Sequence, residues 1–253
     1  MRRFFVPPAV LAGDRPALPE EVVRHLTVLR LATGDEILLL DGVGGVARCR
    51  LAALGRKSGE AEVLARWHES ETAFPVTLLQ ALPKGDKMEL VLQKGTELGV
   101  CGFVPVIAER SIALPSTGRA ETRHERWERI VGEAARQSRR PSLPSLDAAQ
   151  PLESALAAVT ADLRLMLWEE GSRPLSAVLP AQPPESAAVL VGPEGGFSAD
   201  EAALARRAGF VPVRIGPRIL RTETAGFAVA AILQYLYGDL GYLGDAAVQE
   251  DSP

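Results

Sequence analysis

The rhythm of hydrophobic and polar positions changes near residue 72. Up to that point short apolar runs recur about every ten residues between glycine-containing turns, the pattern of a small all-β unit. Glu36-Ile37-Leu38-Leu39-Leu40-Asp41 reads as a buried run, closed by Gly42, Gly44 and Gly45. Val46 to Leu54 and Ala61 to Trp67 follow on either side of Arg56-Lys57-Ser58-Gly59. Arg2-Arg3-Phe4-Phe5-Val6 reads as a first strand entered from a basic end, and Pro19 to Leu26 is the one helix candidate. These elements predict a small β-barrel over residues 1–72.

From about residue 75 strands alternate with helices. Val76 to Leu82 is a strand, and Met88, Val91, Leu92 and Gly95 then fall at i, i+3, i+4, i+7 with Lys87, Glu89, Lys94 and Glu97 on other faces, which predicts a helix. Gly102 to Ile107, Leu163 to Trp168, Ala187 to Val191 and Val211 to Ile215 are further strands, while Glu121 to Ser138 and Thr224 to Tyr237 are helical. Ser198-Ala199-Asp200-Glu201 is a capping box that opens one more helix. Such alternation predicts an α/β domain with a mostly parallel sheet and helices on both faces, spanning 73–238, followed by a tail over 239–253 that frays.

Composition narrows the class. With 47% hydrophobic and 24% charged residues the chain is an ordinary globular protein, which excludes disorder, collagen and coiled coil as its main organisation. Aromatics at 5% exclude a broad base-stacking platform. A net charge of -4 does not draw nucleic acid to the whole surface, so any such partner must meet a local basic patch. Cys49 and Cys101 read as buried reduced thiols, as in a reducing cytoplasm, and three isolated histidines without a Cys/His cluster predict no metal site. No apolar run reaches membrane-spanning length, and Pro7 and Pro8 break what would otherwise imitate a signal peptide, so neither membrane nor export is expected.

Four stretches carry candidate chemistry. Gly42-Val43-Gly44-Gly45-Val46-Ala47 has the outline of a dinucleotide fingerprint, but the segment after it is too short for a crossover helix and predicts a hairpin turn instead. Gly192-Pro193-Glu194-Gly195-Gly196-Phe197-Ser198 leaves the C-terminal end of a buried strand and enters a helix, where open α/β sheets bind ligands. Ile215-Gly216-Pro217-Arg218-Ile219-Leu220-Arg221-Thr222-Glu223-Thr224-Ala225 does the same, and its charges are either a structural Arg–Glu pair with Thr224 as N-cap or part of a ligand site shared with the first loop. From Arg110 to Arg140 eight arginines face four glutamates, ending in Arg136-Gln137-Ser138-Arg139-Arg140, where arginine is unopposed and phosphate contact is a fair reading. Ala225, Gly226, Ala228, Ala230 and Ala231 give the closing helix small residues, for packing within the chain or against a partner.

The two glycine-containing loops, with Thr96-Glu97-Leu98-Gly99, the Glu133 to Pro144 stretch and the Arg2 to Val6 opening, closely resemble the bacterial 16S ribosomal RNA uridine N3-methyltransferases, the small-subunit methyltransferase E family of the SPOUT superfamily. The resemblance covers nearly the whole chain. It implies a PUA-like, RNA-binding β-barrel followed by a trefoil-knotted methyltransferase domain, acting as a cytoplasmic homodimer on 16S rRNA of the small ribosomal subunit. By the same resemblance S-adenosylmethionine lies against Leu190, Gly192, Pro193, Glu194, Gly195, Gly196, Ile215, Gly216, Leu220, Thr222 and Ala225. Arg221 would act on uracil, with Glu223 orienting it or accepting the N3 proton, while Arg2, Arg3, Arg110, Arg136, Arg139 and Arg140 would meet the RNA. The family pattern has Glu at the position of Arg136 and a small residue at Arg139. Two other classes stay open at this point: a non-catalytic RNA-binding ribosome-assembly protein, and a SPOUT enzyme acting on another RNA or on ribose 2′-OH.

Overall fold

The computed structural model describes residues 1–111 and 117–241, leaving aside the side chains of residues 117–119, so Arg119 and the expected tail beyond residue 241 lie outside the described residues. The chain divides into two units, Met1–Glu71 with Val131–Leu143, and Thr72–Ile130 with Pro144 onward.

The first unit contains β1 (Arg2–Phe5), β2 (Ala17–Leu18), α1 (Glu20–Val28), β3 (Glu36–Leu40), β4 (Gly45–Leu54) and β5 (Gly59–His68). Its sheet runs in the order β1-β3-β4-β5-β2, with β1 parallel to β3 and the other pairs antiparallel. β3 is apolar on both faces because both are covered: Ile37 and Leu39 share a cluster with Phe4, Val23 and Leu26, and Leu38 and Leu40 meet Val46. β4 instead alternates Cys49 and Leu51 inside with Arg48 and Arg50 outside. The glycines between β3 and β4 form the predicted hairpin, in which Asp41 Oδ1 accepts the N–H groups of Val43 and Gly45.

A continuous barrel over 1–72 leaves out one piece of this unit. The Leu143 N–H donates to the Gly42 carbonyl at 2.9 Å, Ser142 bridges to Gly42 and Val43, and Arg3 Nη1 donates to the Arg139 carbonyl at 2.7 Å. These pairings join segments far apart in sequence and leave no periodic trace in either.

The second unit contains β6 (Val76–Ala81), α2 (Lys87–Glu97), β7 (Gly102–Ile107), α3 (Thr117–Gln137, its last turns in the first unit), β8 (Ser145–Leu146), β9 (Gln150–Pro151), α4 (Leu152–Ala158), β10 (Leu163–Leu167), β11 (Arg173–Pro174), β12 (Ala187–Val191), α5 (Ala199–Arg207), β13 (Val211–Arg214) and α6 (Thr222–Tyr237). Its eight strands are all parallel, ordered β11-β13-β10-β12-β6-β7-β8 with β9 also beside β7. All five β12 residues are buried, which requires both sheet faces to be covered. On one face Leu79, Met166, Ala188 and Leu190 pack with Leu156 of α4 and Ala202 and Ala205 of α5. On the other, α6 approaches so closely that a Cβ at Gly226 would lie 3.1 Å from Leu78 Cδ1.

Sequence periodicity does not reveal β8, β9, β11 and α4, because two-residue strands have no period and α4 is two turns long. Nor is Thr224 the N-cap of the closing helix. Thr224 and Ala225 already donate to the Arg221 carbonyl, so α6 begins at Thr222 with Arg221 in the cap position. Of its small residues Ala225, Gly226 and Ala230 are buried in the unit, while Ala228 and Ala231 are half-buried. No described helix is long and apolar enough to cross a membrane. Neither cysteine forms a disulfide; Cys49 is buried, which pushes its thiol up to about 11, whereas Cys101 is only half-buried, not buried as the sequence suggests.

Candidate active site

Because the sheet is parallel, the C-terminal ends of β6, β10, β12 and β13 share one edge, the position where such sheets bind ligands. Residues 192–198 leave β12 there and turn tightly into α5. The Gly196 N–H donates to the Pro193 carbonyl, and Gly196 adopts φ +67°, which a side chain would strain. The capping box forms as the sequence predicts: Ser198 Oγ accepts the Glu201 N–H, and Glu201 Oε2 accepts the Ser198 N–H. The second loop leaves β13 at residue 215 and likewise turns on a left-handed glycine, Gly216 with φ +70°.

The loops enclose a cavity of about 640 Å³, within the range of small-molecule sites. Residues 191–197 form one wall and residues 218–222 with Ile215 and Ala225 another. Residues 167–170, at the end of β10, and the side chains of Lys87 and Arg110 complete it. Gly192, Pro193, Glu194, Gly195, Gly196, Ile215, Leu220, Thr222, Ala225 and Arg221 therefore stand together as the sequence suggests.

Two residues differ from that reading: Leu190 lies one residue inside β12 and is fully buried in the core, and Gly216 does not line the cavity. Glu223 sits behind it, 7% exposed, with Oε2 3.4 Å from Lys87 Nζ and Oε1 3.9 Å from Arg221 Nη1. The sequence reading also passed over Lys87, Trp168, Glu169 and Glu170. The signal was present: Leu163 to Trp168 and Val76 to Leu82 are strands of the same parallel sheet, so the residues after them must reach the same edge.

Two braces hold the first loop to the start of α6. Thr222 Oγ1 donates to the Gly192 carbonyl at 2.5 Å and accepts from Gln80 Nε2, buried in β6, at 3.0 Å. Lys87 Nζ donates to Glu194 Oε1 at 2.8 Å, and the Lys84 N–H donates to the same carboxylate. Hydrogen bonding to Glu194, against the opposing effect of burial, and the charges of both carboxylates raise the Lys87 ammonium above its ordinary value. Burial alone would raise the Glu194 carboxyl, but the Lys87 and backbone hydrogen bonds outweigh it and hold the group below the usual carboxylate range. Arg110 Nη1 donates to the Gly195 carbonyl at 2.8 Å.

The remaining arginines of the sequence reading belong to the first unit, and the expectation that they are unopposed holds only in part. Arg136 pairs with Glu133 at 2.5 Å and meets His25 Nε2 at 3.0 Å. Arg140 is 7% exposed and held by Glu71 at 2.9 Å, a partner too distant in sequence to be foreseen. Arg3 pairs with Glu69 at 3.3 Å. Arg2 and Arg139 are exposed. Arg139 adopts φ +61° just past α3, where the Arg140 N–H donates back to the Ala135 carbonyl, a helix end that ordinarily takes glycine.

A family model for an RNA methyltransferase domain matches residues 70–234, and one for an RNA methyltransferase PUA domain matches residues 18–64. Together with the parallel sheet and its edge cavity, they place the chain among the RNA methyltransferases that join a PUA unit to a catalytic unit. The chain is 38% identical over 222 residues to the ribosomal RNA small subunit methyltransferase E of Mycobacterium bovis, covering 86% of this chain and 82% of that protein. To its Bacillus subtilis namesake it is 34% identical, covering 85% and 88%. The crystal structure of the Neisseria gonorrhoeae ribosomal RNA small subunit methyltransferase E bound to S-adenosyl methionine superposes with a TM-score of 0.86 at 37% identity, covering 95% of this chain and 99% of that one. The chain belongs to the ribosomal RNA small subunit methyltransferase E family.

Proposed function

We propose that the chain transfers a methyl group from S-adenosylmethionine to N3 of a uridine in 16S rRNA of the small ribosomal subunit, working as a homodimer in the cytoplasm. The observation that carries the reading is the edge cavity with Arg221 at its rim: the Arg221 side chain is 82% exposed beside residues 192–196 and 215–222.

The cavity suits the donor. Leu167, Trp168, Val191, Ile215 and Leu220 offer apolar walls for a nucleoside, the glycine loops bring backbone polar groups close, and charges of both signs stand ready for an amino acid moiety. When bound, the donor supplies an electrophilic methyl group on a sulfonium. Uracil N3 carries a proton and is a poor nucleophile until that proton leaves, so the chain must stabilise a developing imide anion. Arg221 can donate to a uracil carbonyl and carry that charge. It cannot itself accept the proton, because a guanidinium does not give up its own. Of the two roles the sequence leaves for Glu223, its burial and its ion pairs favour orienting, so the N3 proton passes to solvent water at the open rim while the donor leaves as neutral S-adenosylhomocysteine.

Phosphate contact falls to the exposed Arg2 and Arg139 of the first unit and to Arg110 at the cavity, while Arg3, Arg136 and Arg140 are occupied with Glu69, Glu133 and Glu71. Retaining arginine in the left-handed conformation at residue 139 costs about 1 kcal/mol or more, which supports a use for its charge. A second copy of the chain is favoured by the exposed apolar side of α6, where Tyr235 and Leu236 are 66% and 46% exposed next to half-buried Ala228, Ala231 and Ile232.

The test is methylation of small subunits from a strain lacking the protein, read by nucleoside mass spectrometry. N3-methyluridine supports the reading. A 2′-O-methyl product, or RNA binding without donor binding, would replace it.

A further inference from the structure

We propose that Lys87 is a positioning residue for the methyl transfer: its ammonium ties Glu194 of the first loop to Glu223 at the start of α6 and, through Glu223, fixes where Arg221 holds its guanidinium. The inference rests on the proposed role of Arg221 and adds a residue to it.

Lys87 is the first residue of α2, presented by the β6–α2 loop. That loop clasps Glu194 twice, through the Lys84 N–H at 3.1 Å and Lys87 Nζ at 2.8 Å, so the position of the ammonium is fixed by a wall of the cavity. The same ammonium is the nearest counter-charge of a buried carboxylate: Glu223 Oε2 lies 3.4 Å away and has no hydrogen-bond partner of its own. A buried carboxylate that loses its cation is costly to keep, so Glu223 stays where Lys87 is. Its other oxygen is 3.9 Å from Arg221 Nη1, and Glu223 is the one ion-pair partner of that guanidinium among the described residues. A long side chain that is 82% exposed has little else to select one orientation.

The neutral brace from Thr222 to Gly192 and Gln80 does not involve Lys87. Removing the ammonium should therefore leave the loop spacing and the donor cavity standing and disturb mainly Arg221. Misplacing a reacting group by about 1 Å can cost on the order of a hundredfold in rate.

The experiment compares the full-length protein with its Lys87→Met, Lys87→Arg and Glu223→Gln variants on unmethylated small subunits, with donor affinity measured by calorimetry. The expected result for Lys87→Met is a kcat lower by about tenfold to a hundredfold. Its KM for subunits should stay within about threefold of the parent value, and its donor Kd, because Lys87 also lines the cavity, should change by less than its kcat. Lys87→Arg should recover most of the rate, since a guanidinium can also span two carboxylates. Lys87→Met combined with Glu223→Gln should be no slower than the slower single variant, as for residues acting through one another. Lys87→Gln takes the place of the methionine variant if that one does not fold. A Lys87→Met enzyme with the parent kcat, a loss confined to KM or donor affinity, or an arginine variant as slow as the methionine one would each overturn the inference while the functional reading stands. A parent protein that neither binds the donor nor methylates would overturn both.

Discussion

Arg136 Nη1 lies 3.0 Å from His25 Nε2, and because a guanidinium only donates, the imidazole nitrogen must accept. That geometry needs neutral His25. Burial, and then the Arg136 charge, lower the His25 pKa below its ordinary value, with Glu133 and Glu21 acting in the opposite sense. A histidine depressed in the folded state contributes stability that is complete above the unfolded value of about 6.5 and is lost as pH falls from there through the folded value. The parent protein should therefore lose more stability than a His25→Gln variant between about pH 7.5 and about pH 5.5. Urea midpoints at the two pH values measure this, and identical losses would exclude it.

Arg221→Ala should abolish methylation while leaving donor affinity and Tm nearly unchanged. The side chain is 82% exposed, so its removal opens no cavity in the core. Single-turnover assays beside calorimetry separate the two effects, and a fully active variant would remove Arg221 from the mechanism.

Two neighbouring arginines should respond in opposite ways. Arg139→Gly relieves the left-handed backbone at φ +61° and should leave stability equal or higher by about 0.5 kcal/mol, after allowance for the added freedom of glycine in the unfolded chain. It should also weaken rRNA binding and lower the salt slope of log K by about 1. Glu71→Gln removes the carboxylate charge that faces the buried Arg140 while keeping an acceptor oxygen, and should cost about 1–3 kcal/mol, with rRNA binding altered much less. Urea melts and salt titrations of both variants provide the comparison.

Gln234→Ala should destabilise the second unit by about 3 kcal/mol, because this buried amide accepts the Phe74 N–H and donates to the Phe74 and Gly99 carbonyls. Gly95→Ala is expected to destabilise too, although alanine is the better helix former by about 1 kcal/mol. The new Cβ would lie 2.7 Å from the ring of Phe103, which is fully buried and cannot move aside, and such overpacking costs about 1–3 kcal/mol. Denaturant midpoints measure both, and a neutral result for either would show that its surroundings can give.

What could be read from the sequence was whatever repeats or punctuates. Buried β12 announced itself as Ala187-Ala188-Val189-Leu190-Val191, α2 through Met88, Val91 and Leu92, and the α5 cap through Ser198 and Glu201. The two loops were legible because a strand, a glycine-bearing turn and a helix follow one another in a fixed order. Partners brought together from afar were not: Glu71 for Arg140, His25 for Arg136 and Lys87 for Glu223 leave no spacing to detect. The burial of Glu223 was hidden for the same reason, since its charge reads as exposed until the cation opposite it is known.

The inclusion of Val131–Leu143 in the first unit bears on how the protein is made. As the chain leaves the ribosome, its opening strands can pair with one another early. The carbonyl that receives Arg3 and the N–H that reaches Gly42 are translated only after β6 and β7 have emerged. The amino-terminal unit is therefore complete only once residues 131–143 have been made, and a fragment ending at residue 72 lacks them.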